Sequence, residues 1–399
     1  MRHKSINTGM IPRRGAPSHD SASRLTSHAP TPWPKVRLGE IGRVAMCKRV
    51  LNSETAATGE IPFFKIGTFG KKANAFITRD KFEYYRTHYA YPKKGNVLIS
   101  AAGTIGRLVV FNGGPAYFQD SNIVWLEHDG QRLCDKYLYY SLRGHERQFT
   151  QGATIQRLYN DDVRNTEIPL PPLPVQRRIA DVLSAYDDLI ENNRRRIAIL
   201  EEAARLAYRK WFGRAKNART ATLGGIAEIV MGQSPESKTY NANGEGLSFH
   251  QGVTGFGFRY PQNEMWCTAG TRYAEEGDIL FSVRAPVGRI NVAGERIVIG
   301  RGLSAMRAKN GCQSWLLYAL KHRFNKEDMI GVGCIFASTT KKELLSVDLT
   351  FPPDAEIAAF EQIVEPIDEQ IKALSKQNVA LTASRDMLLP RLMKGVALA

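Results

Sequence analysis

The chain has 399 residues, too many for one ordinary hydrophobic core, which predicts two or more domains. Its composition, 43% hydrophobic and 24% charged, excludes a disordered chain, and the net charge of +16 favours a polyanionic partner, although charge alone also fits a membrane-surface protein. Five scattered cysteines argue against a disulfide framework or a zinc site, and no stretch of 18 apolar residues or apolar signal core is present, so we expect a cytoplasmic protein without membrane contact.

Residues 1–33 are rich in Ser, Pro, Gly, Arg and His and lack periodicity. This composition predicts a disordered basic leader, or an upstream extension that precedes the true start. Such a leader contributes nothing to a packed core, so the fold is sought from residue 34 onward.

Beyond the leader, the sequence repeats itself with a period of about 180 residues. Residues 91–100 (YPKKGNVLIS) align without gaps on 273–282 (YAEEGDILFS), and 167–172 (EIPLPP) falls on 348–353 (DLTFPP). The period is too long for a solenoid and indicates a duplicated domain with an approximate internal two-fold relation. In each copy, short β-rich runs separated by Gly, Pro, Asn and Asp predict a mixed, strand-rich domain, at 34–173 and at 217–353.

Each copy then ends in a heptad-like apolar series that predicts a long helix, at 174–216 and at 354–399. Because the series recurs at the same offset, we expect the helices to pack on each other along about 35 residues, or roughly 50 Å; separate packing of each helix on its own domain is the alternative. Pro366 lies inside the second series and predicts a break, a kink or a new helix start there. The predicted seam comprises Ile179, Leu183, Tyr186, Ile190, Ile197, Leu200, Phe360, Val364, Ile367, Ile371, Leu374, Leu381 and Leu388.

Several short segments resemble one known family. They are 100–106 (SAAGTIG), 152–158 (GATIQRL), 168–179 (IPLPPLPVQRRI), 232–235 (GQSP) and 388–393 (LLPRLM). Together with the order domain–helix–domain–helix, these segments resemble the specificity subunit of type I restriction-modification systems over residues 34–399. The second copy departs from the pattern at 285–288 (APVG) and lacks the Gln that follows the proline-rich run, which predicts a weaker helix start in that copy.

The resemblance implies an α+β fold in which two target recognition domains are separated by two long antiparallel helices. Each domain would read one half of a split double-stranded DNA target, and the helices would dock two methyltransferase subunits. A spacer of roughly 50 Å can straddle a DNA turn of about 34 Å, so two different half-sites with an unread gap are expected. The complex would methylate adenine with S-adenosylmethionine and, with restriction/translocase subunits, cleave DNA using ATP and Mg; this chain would carry no cofactor.

Basic residues beside loop signals are candidates for phosphate contacts, which hold a protein in register on DNA. Any one of them is more often a solvated surface charge. Several amide side chains have the chemistry to read adenine, and the sequence does not select among them: Gln156, Gln233, Asn241, Asn243 and Gln251. The phosphate candidates are Lys48, Arg49, Lys71, Lys72, Arg107, Arg157, Lys238, Arg259, Arg284, Arg289, Lys341 and Lys342.

Catalytic motifs are missing from the sequence. It has no N-P-P-[FY] tetrapeptide of an amino-methyltransferase, no phosphate-binding loop for ATP, and no H-E-x-x-H metal motif. We therefore expect a non-catalytic subunit with no metal site. The alternatives are a stand-alone DNA methyltransferase or nuclease with an unrecognised site, and a coiled-coil adaptor whose basic charge is incidental.

Overall fold

A computed structural model describes residues 32–143, 157–213, 218–324 and 338–395 of the chain. These residues form two compact units. The first comprises the chain up to Arg177 together with its end from Pro390 onward, and the second comprises Arg178–Leu389. Within the described ranges, none of the helices has an apolar stretch long enough to span a bilayer.

The first unit is a strand-rich domain that leads into a long helix. Its elements, in chain order, are β1 (Lys35–Arg37), β2 (Arg43–Met46), β3 (Ile61–Phe64), β4 (Phe76–Ile77), α1 (Arg79–His88), β5 (Val97–Ser100), β6 (Leu108–Val110), β7 (Tyr117–Phe118), β8 (Ile123–Glu127), α2 (Asp135–Arg143), α3 (Asn160–Asn165), β9 (Glu167–Pro169) and the first turn of α4 (Leu173–Phe212).

Two sheets and one short strand pair build this first domain. The antiparallel sheet has the order β2-β8-β5-β6, and in the smaller sheet β3 lies between β4 and β7 and runs parallel to β7. Every residue of β5 is buried, as expected for a central strand made of Val, Leu and Ile. Leu98 of β5 shares the core with Phe63 and Trp125. β1 pairs with β9, which joins the beginning of the domain to its end.

The second unit repeats this sequence of elements. It contains β10 (Arg219–Thr222), α5 (Leu223–Ile226), β11 (Ala227–Met231), β12 (Tyr240–Asn241), β13 (Leu247–His250), β14 (Trp266–Cys267), β15 (Tyr273–Ala274), β16 (Ile279–Ser282), β17 (Ile290–Val292), β18 (Ile297–Ile299), β19 (Leu303–Ala308), α6 (Gln313–Phe324), α7 (Lys341–Leu345), β20 (Asp348–Phe351) and α8 (Asp354–Met393).

The sheet topology confirms the duplication predicted from the sequence. The order β11-β19-β16-β17 of the second domain matches β2-β8-β5-β6 of the first, and β10 pairs with β20 as β1 pairs with β9. In both smaller sheets the central strand has one parallel neighbour, β7 for β3 and β18 for β13. The second domain adds β12 and β15 at the edges of its smaller sheet, whereas α1 has no counterpart in the described part of the second domain.

α4 and α8 are the longest helices of the described chain, with 40 residues each, or about 60 Å. Within the second unit they run antiparallel and contact each other directly. Asn193 of α4 donates to Asn378 of α8 over 3.0 Å, and Tyr208, nearer the end of α4, contacts Phe360, nearer the start of α8. The alternative in which each helix packs separately on its own domain is therefore wrong.

The expected break or new helix start at Pro366 does not occur, because α8 continues through this residue. Pro366 lacks a backbone N–H, and the carbonyl left without a helical partner is that of Gln362. Both residues are exposed, so water can form a hydrogen bond with this carbonyl. The free-energy cost of the proline is therefore lower here than in a buried turn of a helix.

The weaker helix start expected in the second copy is also absent. The carbonyl of Pro172 accepts hydrogen bonds from Val175 and Gln176, and that of Pro353 accepts from Glu356 and Ile357, with distances of 2.9–3.1 Å. In the first copy the buried Gln176 donates to the carbonyls of Arg132 and Pro171. In the second copy Ile357, 181 residues later, is fully buried in the apolar core. Apolar packing thus replaces the missing amide.

Candidate nucleic-acid interface

In the first domain, several loops converge at one edge, where the chain leaves β2, β3, β5 and β7. We call this surface the first edge; it comprises residues 47–49, 65–72, 101–107, 119–122 and 157–158. Its central segment is 119–122, which other parts of the edge contact. The backbone N–H of Ala101 donates to the carbonyl of Asn122 over 2.8 Å, and the N–H of Leu158 donates to the carbonyl of Ala101 over 2.8 Å.

The second domain has a corresponding surface, the second edge, which comprises residues 232–234, 250–252, 283–289, 300–302 and 338–342. The same backbone hydrogen bonds recur: the N–H of Val283 donates to the carbonyl of Gly302 over 2.9 Å, and the N–H of Thr339 donates to the carbonyl of Val283 over 2.8 Å. The two domains therefore hold their edges with one common backbone frame.

A serine-closed turn forms part of this frame in both domains. The hydroxyl of Ser100 accepts from the N–H of Arg107 over 2.8 Å and donates to the carbonyl of Thr104. Ser282 makes the equivalent pair of bonds, accepting from Arg289 over 2.8 Å and donating to Pro286 over 2.6 Å. Each turn closes on a glycine with positive φ, +79° and +87°. The sequence difference between the turns leaves their hydrogen bonding unchanged.

Close approach of three loops fixes the shape of the second edge. The hydroxyl of Ser234 donates to Oε1 of Gln251 over 2.8 Å and accepts from the N–H of Arg301 over 3.3 Å. A Cβ at Gly300 would lie 2.6 Å from Oε1 of Gln251 and 2.8 Å from its Cα, so this position excludes a side chain. The exposed Arg301 is thereby held beside the side chains of Ser234 and Gln251.

Both edges are strongly cationic. In the first edge the only acidic residue is Asp120, and the segments that define the second edge contain no acidic residue. Such an excess attracts phosphate groups and gives salt-dependent binding. The cations are Lys48, Arg49, Lys65, Lys71, Lys72, Arg107 and Arg157 in the first edge, and Arg284, Arg289, Arg301, Lys341 and Lys342 in the second.

The structure brings the six described candidates of the first domain together at the first edge. Lys48 and Arg49 are exposed, with Arg49 bound to Asp120 over 3.0 Å and the ammonium of Lys48 5.1 Å from the ring centre of Tyr89. Arg157 donates to the carbonyl of Ser121 over 2.9 Å. Three more basic residues lie on adjoining loops: Arg107, which donates to the carbonyl of Phe69, and the exposed Lys71 and Lys72.

In the second domain, the candidates Arg284, Arg289, Lys341 and Lys342 are exposed on the second edge. Lys238 is also exposed but lies in a separate turn, where its ammonium is 2.6 Å from the carboxylate of Glu236. Among the base-reading candidates, Gln233 and Gln251 lie in the second edge, and Asn241 and Asn243 lie in a separate turn. Gln156 lies outside the described residues. No contact with a base is therefore assigned to it.

Arg259 corrects the sequence-based interpretation. It was predicted to contact phosphate, but only 4% of its side chain is exposed. Its guanidinium is 2.8 Å from the carboxylate of Glu201 and 2.6 Å from that of Asp368. Surface loops favour exposed arginines, and two acidic partners far away in the sequence explain why this one is buried.

Two cations of the edges, Lys65 and Arg301, were not predicted. The ammonium of Lys65 donates to Asn52 over 2.8 Å beside the first edge. Arg301 lies between two glycines, and glycines allow a loop to approach another backbone closely. The Gly-Arg-Gly pattern therefore indicates a cationic loop of this kind and could have identified Arg301 as a candidate. Gln119 was also missed; its side-chain oxygen accepts from the N–H of Ile66 over 2.9 Å and so shapes the first edge.

The predicted helix seam is placed along α4 and α8. Ile197, Ile371 and Leu374 form one apolar cluster, with Leu200 and Ile367 packed against it. Phe360 and Val364 are fully buried in the core shared with the second domain. Among the remaining seam positions, Ile179, Leu183 and Ile190 are buried, and Tyr186, Leu381 and Leu388 are half-buried.

His250, at the end of β13 in the second edge, is a buried titratable group. Burial lowers its pKa, against the opposing effects of the hydrogen bond with Asn263 and of the nearby carboxylates of Glu295 and Glu264. Its ring Nε2 lies 3.1 Å from Oδ1 of Asn263. The folded domain therefore favours the neutral imidazole.

This pKa shift predicts a pH-dependent stability of the second unit. Below the ordinary histidine pKa of about 6.5, the unfolded chain takes up a proton before the folded domain does, so the contribution of His250 is full above this pH and declines below it. We expect His250→Gln to reduce the loss of melting temperature between about pH 7.5 and pH 5.5. The exposed His88→Gln serves as control, and an unchanged pH dependence in His250→Gln would contradict the prediction.

Comparisons with known proteins agree with this architecture. The family model described as type I restriction modification DNA specificity domain matches residues 30–202 and 216–382. Each matched segment contains one strand-rich domain and most of the long helix that follows it. The family match thus repeats at the period of the internal duplication.

Individual relatives have related descriptions. A Haemophilus influenzae protein described as a type I restriction enzyme specificity subunit is 50% identical over 154 residues, which cover 39% of this chain and 40% of that protein. A Methanocaldococcus jannaschii protein of the same description is 29% identical over 331 residues, or 75% of this chain and 78% of that protein. The crystal structure of a type I restriction-modification S subunit from M. genitalium has a TM-score of 0.59 at 19% identity, covers 92% of this chain and 98% of that chain, and supports the fold alone.

Proposed function

Since the chain belongs to the family of type I restriction-modification DNA specificity domains, we propose that its two edges each read one half of a split double-stranded DNA target. DNA target recognition is the role of a specificity subunit. The finer assignment, one half-site for each edge, is supported by the recurrence of one backbone frame at two cationic surfaces. This recurrence is the observation that carries the proposal.

The side chains on the two frames differ, and this predicts two different half-sites. Arg49 with Asp120 occupies the first edge, whereas Arg301 with Ser234 and Gln251 occupies the corresponding place in the second. Phosphate contacts position a protein on DNA, while the sequence is read by side chains that reach base edges. Because different hydrogen-bonding groups border the two edges, we expect an asymmetric target with an unread gap between its halves.

The long helices are proposed to dock two methyltransferase subunits. Both helices carry large apolar side chains that are more than a third exposed, including Leu189 and Ile199 on α4 and Val379 and Met387 on α8. Exposed apolar groups along a rigid element suit a protein partner. In this proposal the methyltransferase subunits bind S-adenosylmethionine and methylate adenine, and restriction/translocase subunits use ATP and Mg to cleave DNA. The complex acts in the cytoplasm, and this chain recognises the DNA target.

Methylation mapping tests the proposal directly. The chain is expressed with its methyltransferase partner in a host that lacks adenine methylation, and methylated positions are mapped across the genome. We expect one motif with two unlike halves and a gap of fixed length. Adenine methylation at a continuous motif would contradict the split target, and methylation by the chain without a partner would favour a stand-alone enzyme.

A DNA-binding experiment distinguishes a DNA-reading subunit from the remaining alternative, a coiled-coil adaptor. The complex is footprinted on a duplex that carries the mapped motif and on one with both halves scrambled, at the same salt concentration. Two protected patches on the first duplex alone are expected. Partner binding without DNA affinity at low salt would identify an adaptor instead.

A further inference from the structure

A buried charge network ties the second domain to both long helices. Arg259 lies in the connection between β13 and β14, and its guanidinium reaches two different helices. Nη1 donates to the carboxylate of Glu201 on α4 over 2.8 Å, and Nη2 donates to that of Asp368 on α8 over 2.6 Å. A single side chain of the recognition domain therefore bridges the antiparallel pair.

α6 completes the network from a third direction. The hydroxyl of Tyr318 donates to Asp368 over 2.9 Å and lies 3.2 Å from Nη1 of Arg259. The ammonium of Lys321 pairs with the carboxylate of Glu201. Two cations thus face two anions, and the side chains of all four are at least three-quarters buried. Buried charges require such compensation.

Arg259 is also anchored firmly on the side of its own domain. The carbonyl of Arg259 accepts from the N–H of Val292 in β17 over 3.1 Å, and the amide of Asn291 donates to the carbonyl of Phe256 over 2.9 Å. The neighbouring Tyr260 packs against the apolar cluster of Ile197 and Ile371 between the helices. The loop therefore has little freedom to change the direction of the guanidinium.

Burial and a two-directional geometry distinguish the Arg259 ion pairs from the other ion pairs between the second domain and α8. Glu276 pairs with Lys372 and Lys376, but these side chains are between 30% and 63% exposed. Exposed pairs are screened by solvent and salt and constrain orientation weakly. A planar guanidinium held by two buried carboxylates accepts only a narrow range of directions.

We propose that Arg259 is a positioning residue that fixes the orientation of the second recognition domain on the helix pair and thereby sets the half-site spacing that the protein accepts. The inference rests on the proposed split target. Arg259 would contact no base; it would act through Glu201 and Asp368. A shift of the domain on its support would change where the second edge meets the DNA, so spacing would become less strictly selected.

The test uses Arg259→Lys in the assembled methyltransferase complex. Lysine keeps the charge, but its single ammonium cannot reproduce the two-directional fork. Methylation rates are compared on duplexes with the native gap and with gaps one base pair shorter or longer. We expect the preference of Arg259→Lys for the native gap to be about tenfold weaker than that of the unchanged protein.

Arg385→Lys is the matched control. Arg385 is also a buried arginine between the two helices, and it pairs with Asp187 and Asp386 rather than with the second domain. Loss of spacing discrimination in Arg259→Lys but not in Arg385→Lys supports the proposal. Unchanged discrimination in Arg259→Lys, or equal loss in both variants, overturns it.

A replacement variant and a measurement on the unchanged protein keep the outcome clear. If Arg259→Lys does not fold, as judged by thermal unfolding, Asp368→Asn replaces it in the same comparison, since it removes one charge without changing the volume. The unchanged protein provides the second readout: if it methylates a duplex carrying only one half-site as fast as the complete target, the split-target proposal fails, independently of Arg259.

Discussion

Replacing Phe360 by alanine is expected to lower the free energy of unfolding of the second unit by about 3–5 kcal/mol. Phe360 is fully buried at the junction of α4, α8 and the second domain. Its ring lies 5.2 Å from that of Phe212 and 5.9 Å from that of Tyr208, both on α4, and 6.5 Å from that of Tyr318 on α6. Truncation removes contacts to two other helices, α4 and α6, and leaves a cavity that the rigid aromatic neighbours cannot fill.

Urea unfolding followed by amide hydrogen exchange measures this change. Exchange resolves the two units, which a single spectroscopic transition does not. We expect faster exchange in α6 and α8 of Phe360→Ala and little change in β5 and β8. Ile363→Ala, on the same helix but 51% exposed, serves as control and should change stability by less than about 0.5 kcal/mol. Equal effects of the two substitutions would contradict the assignment of Phe360 to the core.

The double substitution Lys48→Gln/Arg49→Gln should weaken DNA binding about tenfold to hundredfold at low salt. Both residues are exposed on the first edge, and removal of Arg49 also leaves the carboxylate of Asp120 without its ion-pair partner there. Two lost phosphate contacts should reduce the slope of log affinity against log salt by about 2. Titrations of the complex on its target at several salt concentrations measure both effects.

A second pair of basic residues in the same domain provides the control. Lys93 and Lys94 are exposed and precede β5, whereas the first edge follows the opposite end of that strand. β5 lies between the lysine pair and the first edge, and its four residues span about 13 Å, more than the screening length of about 8–10 Å at physiological salt. Lys93→Gln/Lys94→Gln should therefore leave the affinity and the salt slope almost unchanged. Similar losses in both variants would show that net charge, rather than the first edge, governs binding.

The duplication and the helices could be predicted because each depends on a pattern that sequence records directly. The offset of 181–182 residues aligns β5 with β16 and β9 with β20 from the sequence alone. The apolar series likewise placed Ile197 and Leu374 on the faces that now touch. Burial of one face of a helix requires apolar residues at a period near 3.5, and this period is kept when one apolar residue replaces another.

The function of individual polar residues could not be predicted in the same way, because it depends on partners that are distant in sequence. Arg259 has the loop context of a phosphate contact, and only the approach of Glu201 and Asp368 makes it a buried residue. Tyr208 and Phe212 are buried beside Phe360, although neither belongs to the predicted seam. Near its end, α4 also packs on the second domain, so its buried face is wider than a two-helix seam.

The hydrogen bonds that hold the two edges are mostly between backbone groups, and this affects how such a protein can change its target. The frame formed by Ala101 with Asn122, and by Val283 with Gly302, does not require the side chains of Lys48, Arg49 or Arg284. Substitutions at those exposed positions can alter the groups that meet DNA while the supporting loops keep their shape. A lineage could therefore acquire a new half-site through a few surface substitutions, with the other half-site and the core unaltered.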